Sequence, residues 1–568
     1  MVKKCPVCER IYPDGTLNYC LEDGERLFPV VEDEPPTAIQ IPVSERNNLD
    51  HIDVSLAPSE ADRTASRPRA KFWIRSIVIG IAAVLLMLAG IWIWSMRFVP
   101  ATQEPVPIRS IAVLPFQNRS DDPDSDYLSE GLAESLIFRL SQLPGLKVSP
   151  TSSVLRYKSG ETDVTRAAHD LNVDSIITGR LIKRGDSLNI SVELIDTRNN
   201  KSLWGEQYER KMSDLLATQR EIGQAVYVQL RLKLSDREKT GITKQFTESN
   251  EAYQLYLKGR FYWNKRNIEG LKRAAVFFNQ AIEDDPAFAL AYAGLADSYL
   301  LIPVYSAGLP SDYIPKAKSA VNKALELDDS LAEAHTSLAY ALLIYDWNFP
   351  EAEKEFKRAL ELSPNYATAH QWYANQLIWA SDESDNGLEE MRRALELDPL
   401  SPVMNGSLGE AYIYSGRIDD ALAQLQKTAD MDANYPKTRW DLGTVHFAAG
   451  RYKEAVAEYE AARALTSDPW VLGPLGQAFA RNRQREEALK ILDQLKTTSG
   501  ERFVSPYDIA LVYDGLGDKS EALNWLEKGF DERVHWMLLL NCNPLLSDLR
   551  TEERFTSLVH RVGLTRKN

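Results

Sequence analysis

Cysteine and histidine are scarce in this chain, and basic charge is in deficit. Four cysteines occur in 568 residues; Cys5, Cys8 and Cys20 lie within the first 20 positions, and Cys542 stands alone. That distribution excludes a disulfide framework and marks a local site instead. Seven histidines spread over the whole length leave little material for a metal hydrolase or a His-based catalytic centre. With 66 Lys and Arg against 81 Asp and Glu, the net charge of −15 has the wrong sign for broad phosphate neutralisation, so nucleic acid is not an expected partner. A single core is excluded too, because about 100–200 residues per domain implies three or more domains. The composition, 44% hydrophobic and 26% charged, is that of ordinary folded protein, so most of the chain should fold.

One long uncharged run is present. Between Arg75 and Arg97, residues 76–96 read SIVIGIAAVLLMLAGIWIWSM, 21 residues without a charge. At about 1.5 Å per residue such a helix reaches roughly 30 Å, the thickness of a bilayer core. A transmembrane helix is expected, with Trp92 and Trp94 as interfacial anchors; it begins too far into the chain for a cleaved signal peptide. Arg63, Arg67, Arg69, Lys71 and Arg75 precede it, and only Arg97 and Arg109 follow closely. This imbalance predicts a single-pass protein of the inner (cytoplasmic) membrane, with residues 1–75 cytoplasmic and the C-terminal domains periplasmic or extracytoplasmic.

The first 30 residues carry a metal-type pattern. Cys5-Pro-Val-Cys8 is a two-residue-spaced knuckle, and Cys20-Leu-Glu-Asp23-Gly24 repeats the spacing with a carboxylate in the fourth place. Thiolates and one oxygen are legitimate tetrahedral ligands for zinc, and a cytoplasmic placement keeps the thiols reduced. The segment resembles the short zinc-ribbon modules that open many bacterial membrane and regulatory proteins, although Glu9 stands where such knuckles usually carry Gly. A structural Zn²⁺ on Cys5, Cys8, Cys20 and Asp23 is the leading reading; a ribbon that has lost its metal and a redox dithiol are the others. So small a ribbon would fold only on binding metal. Residues 1–70 hold 8 Lys and Arg against 13 Asp and Glu, which speaks against DNA binding. Residues 31–75 are polar, acidic and without period, a disordered tether.

Beyond the span and a Pro-containing linker over 97–107, strand and helix signals alternate. Ile111–Phe116 is a buried-strand run, followed by the acidic loop NRSDDPDSD and the helical stretch EGLAESLIFRLSQL, with Ser129 as its expected cap and Pro144-Gly145 as its stop. A short strand near 146–149 and a helix near 164–171 follow. From Ser175 the sequence SIITGRLIKRGDSLNISVELIDTRNNKSLWGEQYER predicts a three-stranded antiparallel meander, and residues 211–235 an amphipathic helix with Leu215, Ile222, Val226 and Leu230 on one side. These residues resemble the FlgO or TolB-amino-terminal-like domain over 108–235, which implies a noncatalytic α/β module for envelope-side interactions. Asp121, Asp122, Asp124 and Asp126 lack the Gly and terminal Glu of a calcium loop and read as a solvated loop; Asp170, Asp174 and Asp196 read as turn and cap residues.

From Glu251 onward a period near 34 residues dominates. ALELD at Ala324, ALELS at Ala359 and ALELD at Ala394 recur 35 residues apart. Gly409, Gly443, Gly476 and Ala510 share one position, and Ala421, Ala455, Ala488 and Ala522 follow each by 12. Small residues at two fixed points let paired helices approach closely, with Tyr412, His446, Phe479 and Tyr513 beside them and Gly416, Gly450 and Gly517 in the turns. The set resembles tetratricopeptide repeats, about eight units over 250–540, with an insertion loop near Pro303–Pro315 and a capping helix over 541–568. The resemblance implies a superhelix with a concave groove for a peptide or protein partner. Matched to this sequence, its groove positions are Tyr340, Gln371, Asn375, Trp379, Glu410, Trp440 and Thr444, with Trp440 the expected anchor.

The fold class is therefore multidomain: a small zinc ribbon, one transmembrane helix, an α/β domain with antiparallel meander, and an all-α repeat superhelix. Every module is of an interaction type, so the leading expectation is a noncatalytic membrane-anchored scaffold or sensor that binds protein or peptide. An adaptor of a bacterial Ser/Thr kinase or cyclase system is the alternative, and a membrane-tethered transcription regulator a third. The sequence carries no signal of oligomeric state.

Overall fold

The computed structural model describes residues 108–564 except 121–124, 144, 159–162, 231–243, 307 and 382, together with Met87 and three short strands before them. Two compact units divide the chain, Met1–Ala101 and Thr102–Asn568. In the first, β1 (Lys3–Lys4) pairs antiparallel with both β2 (Ile11–Tyr12) and β3 (Phe28–Pro29). Cys5, Cys8, Cys20 and Asp23 lie outside the described residues, as does the run 76–96 apart from Met87. Among the described residues, no helix is long and apolar enough to cross a membrane.

The second unit opens with a mixed sheet. Strands β4 (Ser110–Val113), β5 (Gln117–Asn118), β6 (Lys147–Val148), β7 (Ser175–Arg184), β8 (Ser187–Asp196) and β9 (Lys201–Lys211) take the order β6-β4-β7-β8-β9, with β5 also on β7. β4 has parallel neighbours on both sides, which suits its uninterrupted apolar run Ile111, Ala112, Val113. β7 and β8 pair antiparallel from Ser175 with Asp196 to Arg184 with Ser187, around a turn in which Gly185 has φ +58°. Helix α1 (Asp126–Ser141) buries Leu132, Leu136, Ile137 and Leu140; α2 (Thr151–Val154), α3 (Val164–Leu171) and α4 (Leu215–Leu230) complete the module.

α1 starts a turn earlier than its expected cap. Ser129 lies inside the helix, buried, and Asp126 accepts a 2.8 Å bond from Asn118 Nδ2, which ties the far end of the loop to the helix start. Asp163 does cap α3, accepting from the amides of Thr165 and Arg166. Asp174 accepts from the amides of Arg109 and Ser110, and Asp196 pairs with Arg198 at 2.7 Å, so both carboxylates fasten strand ends.

The rest is an array of antiparallel helix pairs: α5 (Asn250–Trp263) with α6 (Ile268–Asp284), α7 (Ala289–Val304) with α8 (Pro310–Leu327), α9 (Ala332–Ala341) with α10 (Phe349–Leu362), and α11 (Ala367–Trp379) with α12 (Ser384–Leu397). Four more follow: α13 (Pro402–Tyr414) with α14 (Ile418–Met431), α15 (Pro436–Ala448) with α16 (Tyr452–Leu465), α17 (Leu472–Arg481) with α18 (Arg485–Ser499), and α19 (Pro506–Leu516) with α20 (Lys519–Asp531). The expected loop at Pro303–Pro315 is shorter than the sequence suggested. Pro310 sits in the first turn of α8, where its missing N–H costs nothing, so the helix absorbs Pro315 and only 305–309 connect the pair.

The small-residue positions are contact points. A Cβ on Gly443 would lie 2.6 Å from the Tyr459 ring, and Ala421, Ala455, Ala488 and Ala522 are fully buried. The turn between paired helices uses the left-handed region, with Gly450 at φ +71°, but the first pair places Arg266 there at φ +50°.

Candidate functional site

After α20 the chain does not continue as a regular helix. Residues His535–Leu539 and Pro544–Leu549 form two short 3₁₀ turns, and α21 (Glu553–Val562) follows. Asn543 starts the second turn by accepting from the Leu545 amide at 2.9 Å, and Pro544 cannot extend a preceding helix. Leu538, Leu539, Leu540, Leu545, Leu546 and Leu549 are all buried, so the segment is packed inside the array.

Its partners define the route. Pro544–Leu549 packs against α15 and α19, and His535–Leu539 against Leu342–Asp346, the irregular end of α9. A segment touching the first helices of several pairs lies on the face those helices line. There Trp536 stacks near Trp440 at 5.9 Å and Tyr507 at 6.3 Å between ring centroids. Asn543 Nδ2 donates to the Tyr507 hydroxyl at 2.8 Å, and Gln477 Nε2 donates to the Leu545 carbonyl at 2.7 Å. Arg481 joins Asp514 at 3.0 Å to Asp548 at 2.6 Å. The circuit closes where Trp347 meets Phe530 at 5.0 Å, with the Arg533 guanidinium 4.0 Å above the Trp347 ring.

This corrects the expectation of an open groove. Trp440 is 4% exposed, enclosed by Tyr459, Trp470 and Trp536. Thr444 is fully buried and shares a 3.0 Å hydrogen bond with the Tyr459 hydroxyl. Tyr340 is buried and stacked on Trp372 at 4.1 Å; Gln371 donates to Ser407 Oγ at 2.7 Å. Trp379 is buried, Asn375 half-buried, and Glu410 lies 3.4 Å from Lys437 Nζ. The chain's own tail covers Trp440, and neighbouring repeats cover Tyr340 and Gln371.

Beneath the tail lies a buried charge group. Lys437 Nζ sits 2.5 Å from Asp441 Oδ1 and 4.4 Å from the centroid of the Trp440 ring. Burial pushes the Asp441 carboxyl up to about 7, against the pull of Lys437. His535 is pushed down to about 3, first by burial and then by the Lys437 charge.

The other end of the array is roofed by the α/β module. α1 packs on α5, where Arg260 Nε meets Glu134 Oε1 at 2.6 Å and Asn264 Nδ2 donates to Glu134 Oε2 at 2.8 Å. Ser152 and Ser153 both donate to Asp398, and the Leu400 amide donates to Ser153 Oγ at 3.0 Å. Between roof and repeats lies a cavity of about 300 Å³, walled by Tyr253, Tyr256, Trp263 and Tyr366 and carrying Arg260, Arg266, Asp297 and Glu333. Burial pushes Asp297 up to about 6, against its bond from Ser337, and Glu333 up to about 7. Sequence reasoning missed these four. The available signal was charge inside or beside apolar helical stretches. Among the described residues, no group of His, Cys, Asp and Glu could hold a metal ion.

Residues 108–224 match the family model for the second domain of HilA/YgeH-like transcriptional regulators, so the module that resembles FlgO and TolB-amino-terminal domains is matched under a different family description. Residues 407–469 match the tetratricopeptide repeat model, and the array is one of tetratricopeptide repeats. A Rhizobium meliloti (strain 1021) protein provisionally named adenylate cyclase 3 is 29% identical over 265 residues, covering 44% of this chain and 45% of that one. The chain thus spans less than half the length of this relative. Among solved structures, PilF of Pseudomonas aeruginosa is 21% identical, with 38% of this chain and 92% of that one covered at a TM-score of 0.30. A thermophilic repeat protein of Thermus thermophilus is 20% identical, with 32% and 92% covered at 0.28.

Proposed function

We propose that this chain is a noncatalytic, membrane-anchored scaffold and sensor whose repeat array recognises an extended segment of a protein partner. One observation carries the reading: the array already holds an irregular segment of two short 3₁₀ turns, its own residues 535–549, by an aromatic nest around Trp536 and by bonds to Asn543 and the Leu545 carbonyl. That is how repeat superhelices take peptides, with aromatic anchors for affinity and side-chain amides on the backbone. A partner segment of similar chemistry displaces the tail, and the state of the tail is the output. The partial relative named as a cyclase supports placing that output in signalling.

A synthetic peptide of residues 532–550 tests this on the full-length chain in detergent. Truncating half-buried Trp536 removes the ring that meets Trp440 and Tyr507 and loosens the tail, so Trp536→Ala should bind the labelled peptide about tenfold more tightly than the unaltered chain. Equal binding by a Trp536→Ala chain with unchanged helical circular dichroism would remove the reading.

The 21 uncharged residues 76–96 and the basic excess before them support the membrane anchor, with the α/β module and array outside. The pattern Cys5, Cys8, Cys20, Asp23 supports one structural zinc inside. External protease on intact spheroplasts should digest the unit from residue 102 onward and leave residues 1–75 as a protected, zinc-containing fragment; digestion of that fragment would refute the orientation.

A further inference from the structure

The roofed cavity at the start of the array carries two opposite charges with no ion-pair partner among the described residues. Arg266 stacks its guanidinium 3.6 Å above the Trp263 ring and has no carboxylate within ion-pair distance among the described residues. Its neighbour Arg260 differs, being committed to Glu134. Glu333 has no cation within that distance; its own backbone amide donates to it and Arg260 acts on it from farther away, whereas Asp297 has the Ser337 hydroxyl. Arg266 and Glu333 form no ion pair with one another either, so each half-buried group lines the shared space without a direct partner. Two such groups of opposite charge in one cavity are the complement of a ligand carrying both opposite charges.

The volume, about 300 Å³, lies at the small end of ligand pockets, roughly 300–1,000 Å³, and the aromatic walls supply the apolar remainder.

We propose that this cavity binds a small zwitterion, a free amino acid or a short peptide, with its carboxylate on Arg266 and its ammonium on Glu333. The site is separate from the tail groove and stands whether or not the tail is displaced. Burial holds the Glu333 carboxyl up to about 7 against the pull of its own backbone amide and of Arg260, and a bound ammonium would lower it.

Equilibrium dialysis of the full-length chain in detergent tests it, with the common amino acids, dialanine, N-acetyl-dialanine, dialaninamide and inorganic phosphate as probes. An amino acid or dialanine should saturate one site per chain, and blocking either terminus should weaken binding about tenfold or more. Free amino acids binding where dialanine does not, or the reverse, separates the two ligand sizes. Arg266→Gly relieves the turn and so keeps the fold; it should bind dialaninamide and dialanine equally, while Glu333→Gln should lose its preference for the free amine. No saturable uptake by the unaltered chain, equal uptake of the blocked compounds, or phosphate binding as well as the zwitterions would overturn the proposal.

Discussion

Asp508 is 3% exposed, and its Oδ2 has no hydrogen-bond partner. Burial alone pushes its carboxyl well above the ordinary 3.8, so the folded chain holds this proton where the unfolded chain has released it. Such a group stabilises the fold at low pH and loses that contribution as pH climbs above the unfolded value, by about 1.4 kcal/mol per unit until the folded value is reached. Asp508→Asn keeps the shape and removes the proton linkage. The variant should unfold at higher urea than the parent at pH 8, with the difference shrinking toward pH 4; a constant difference would refute the linkage. The small positions Gly409, Gly443, Gly476 and Ala510 were legible because close helix contact calls for a small residue at the same point of successive pairs. His335 and His370 were not singled out, although each joins a glutamate, Glu355 or Glu390, at 2.5 Å and bonds a carbonyl six residues earlier at 3.0 Å. Asn405 makes that carbonyl bond in the next pair, so the chemistry recurs while the residue type changes.

At the scale of elements, local pattern worked where one helix or strand decides its own fate. The alternation over 175–211 anticipated β7, β8 and β9, because β7 and β8 each have one face on the core, β9 pairs along β8, and the turns carry Gly185 and Asn200 at positive φ. It failed where a contact from elsewhere sets the boundary. α1 begins at Asp126 because Asn118 reaches across a loop to it, and α8 begins at Pro310 because proline suits a first turn. The first two groove positions in chain order, Tyr340 and Gln371, show the same limit. Their inward direction follows from repeat register, but their burial comes from Trp372 and Ser407 in neighbouring pairs. The pocket charges have no period at all, since Arg266 and Glu333 belong to different pairs and meet only through the superhelix.

Over the whole molecule, the route of the tail was the least legible feature. The sequence suggested a helix over 541–568 closing the last pair, and α21 does pack on α20; residues 535–549 before it cross to α15 and to the end of α9, contacts between residues about a hundred or more apart that leave no periodic trace. The same route makes tail and body respond oppositely to acid. Asp441, Asp508 and Glu333 have raised values, so protonation favours the body as pH falls. His535 has its value pushed down to about 3, so its neutral state supports the docked tail above 6.5, and that support drains as pH falls below 6.5, about 1.4 kcal/mol per unit. Asp441, held up to about 7, neutralises over the same range and leaves the Lys437 charge facing His535 with less compensation. Acidification from pH 7.5 to 5.5 should therefore loosen residues 535–549 while the helix pairs hold. Hydrogen exchange, corrected for intrinsic rates, should lose protection in that segment alone, and His535→Gln should keep it protected. Uniform loss over the array, or a tail equally protected at both pH values, would refute the coupling between His535 and Lys437.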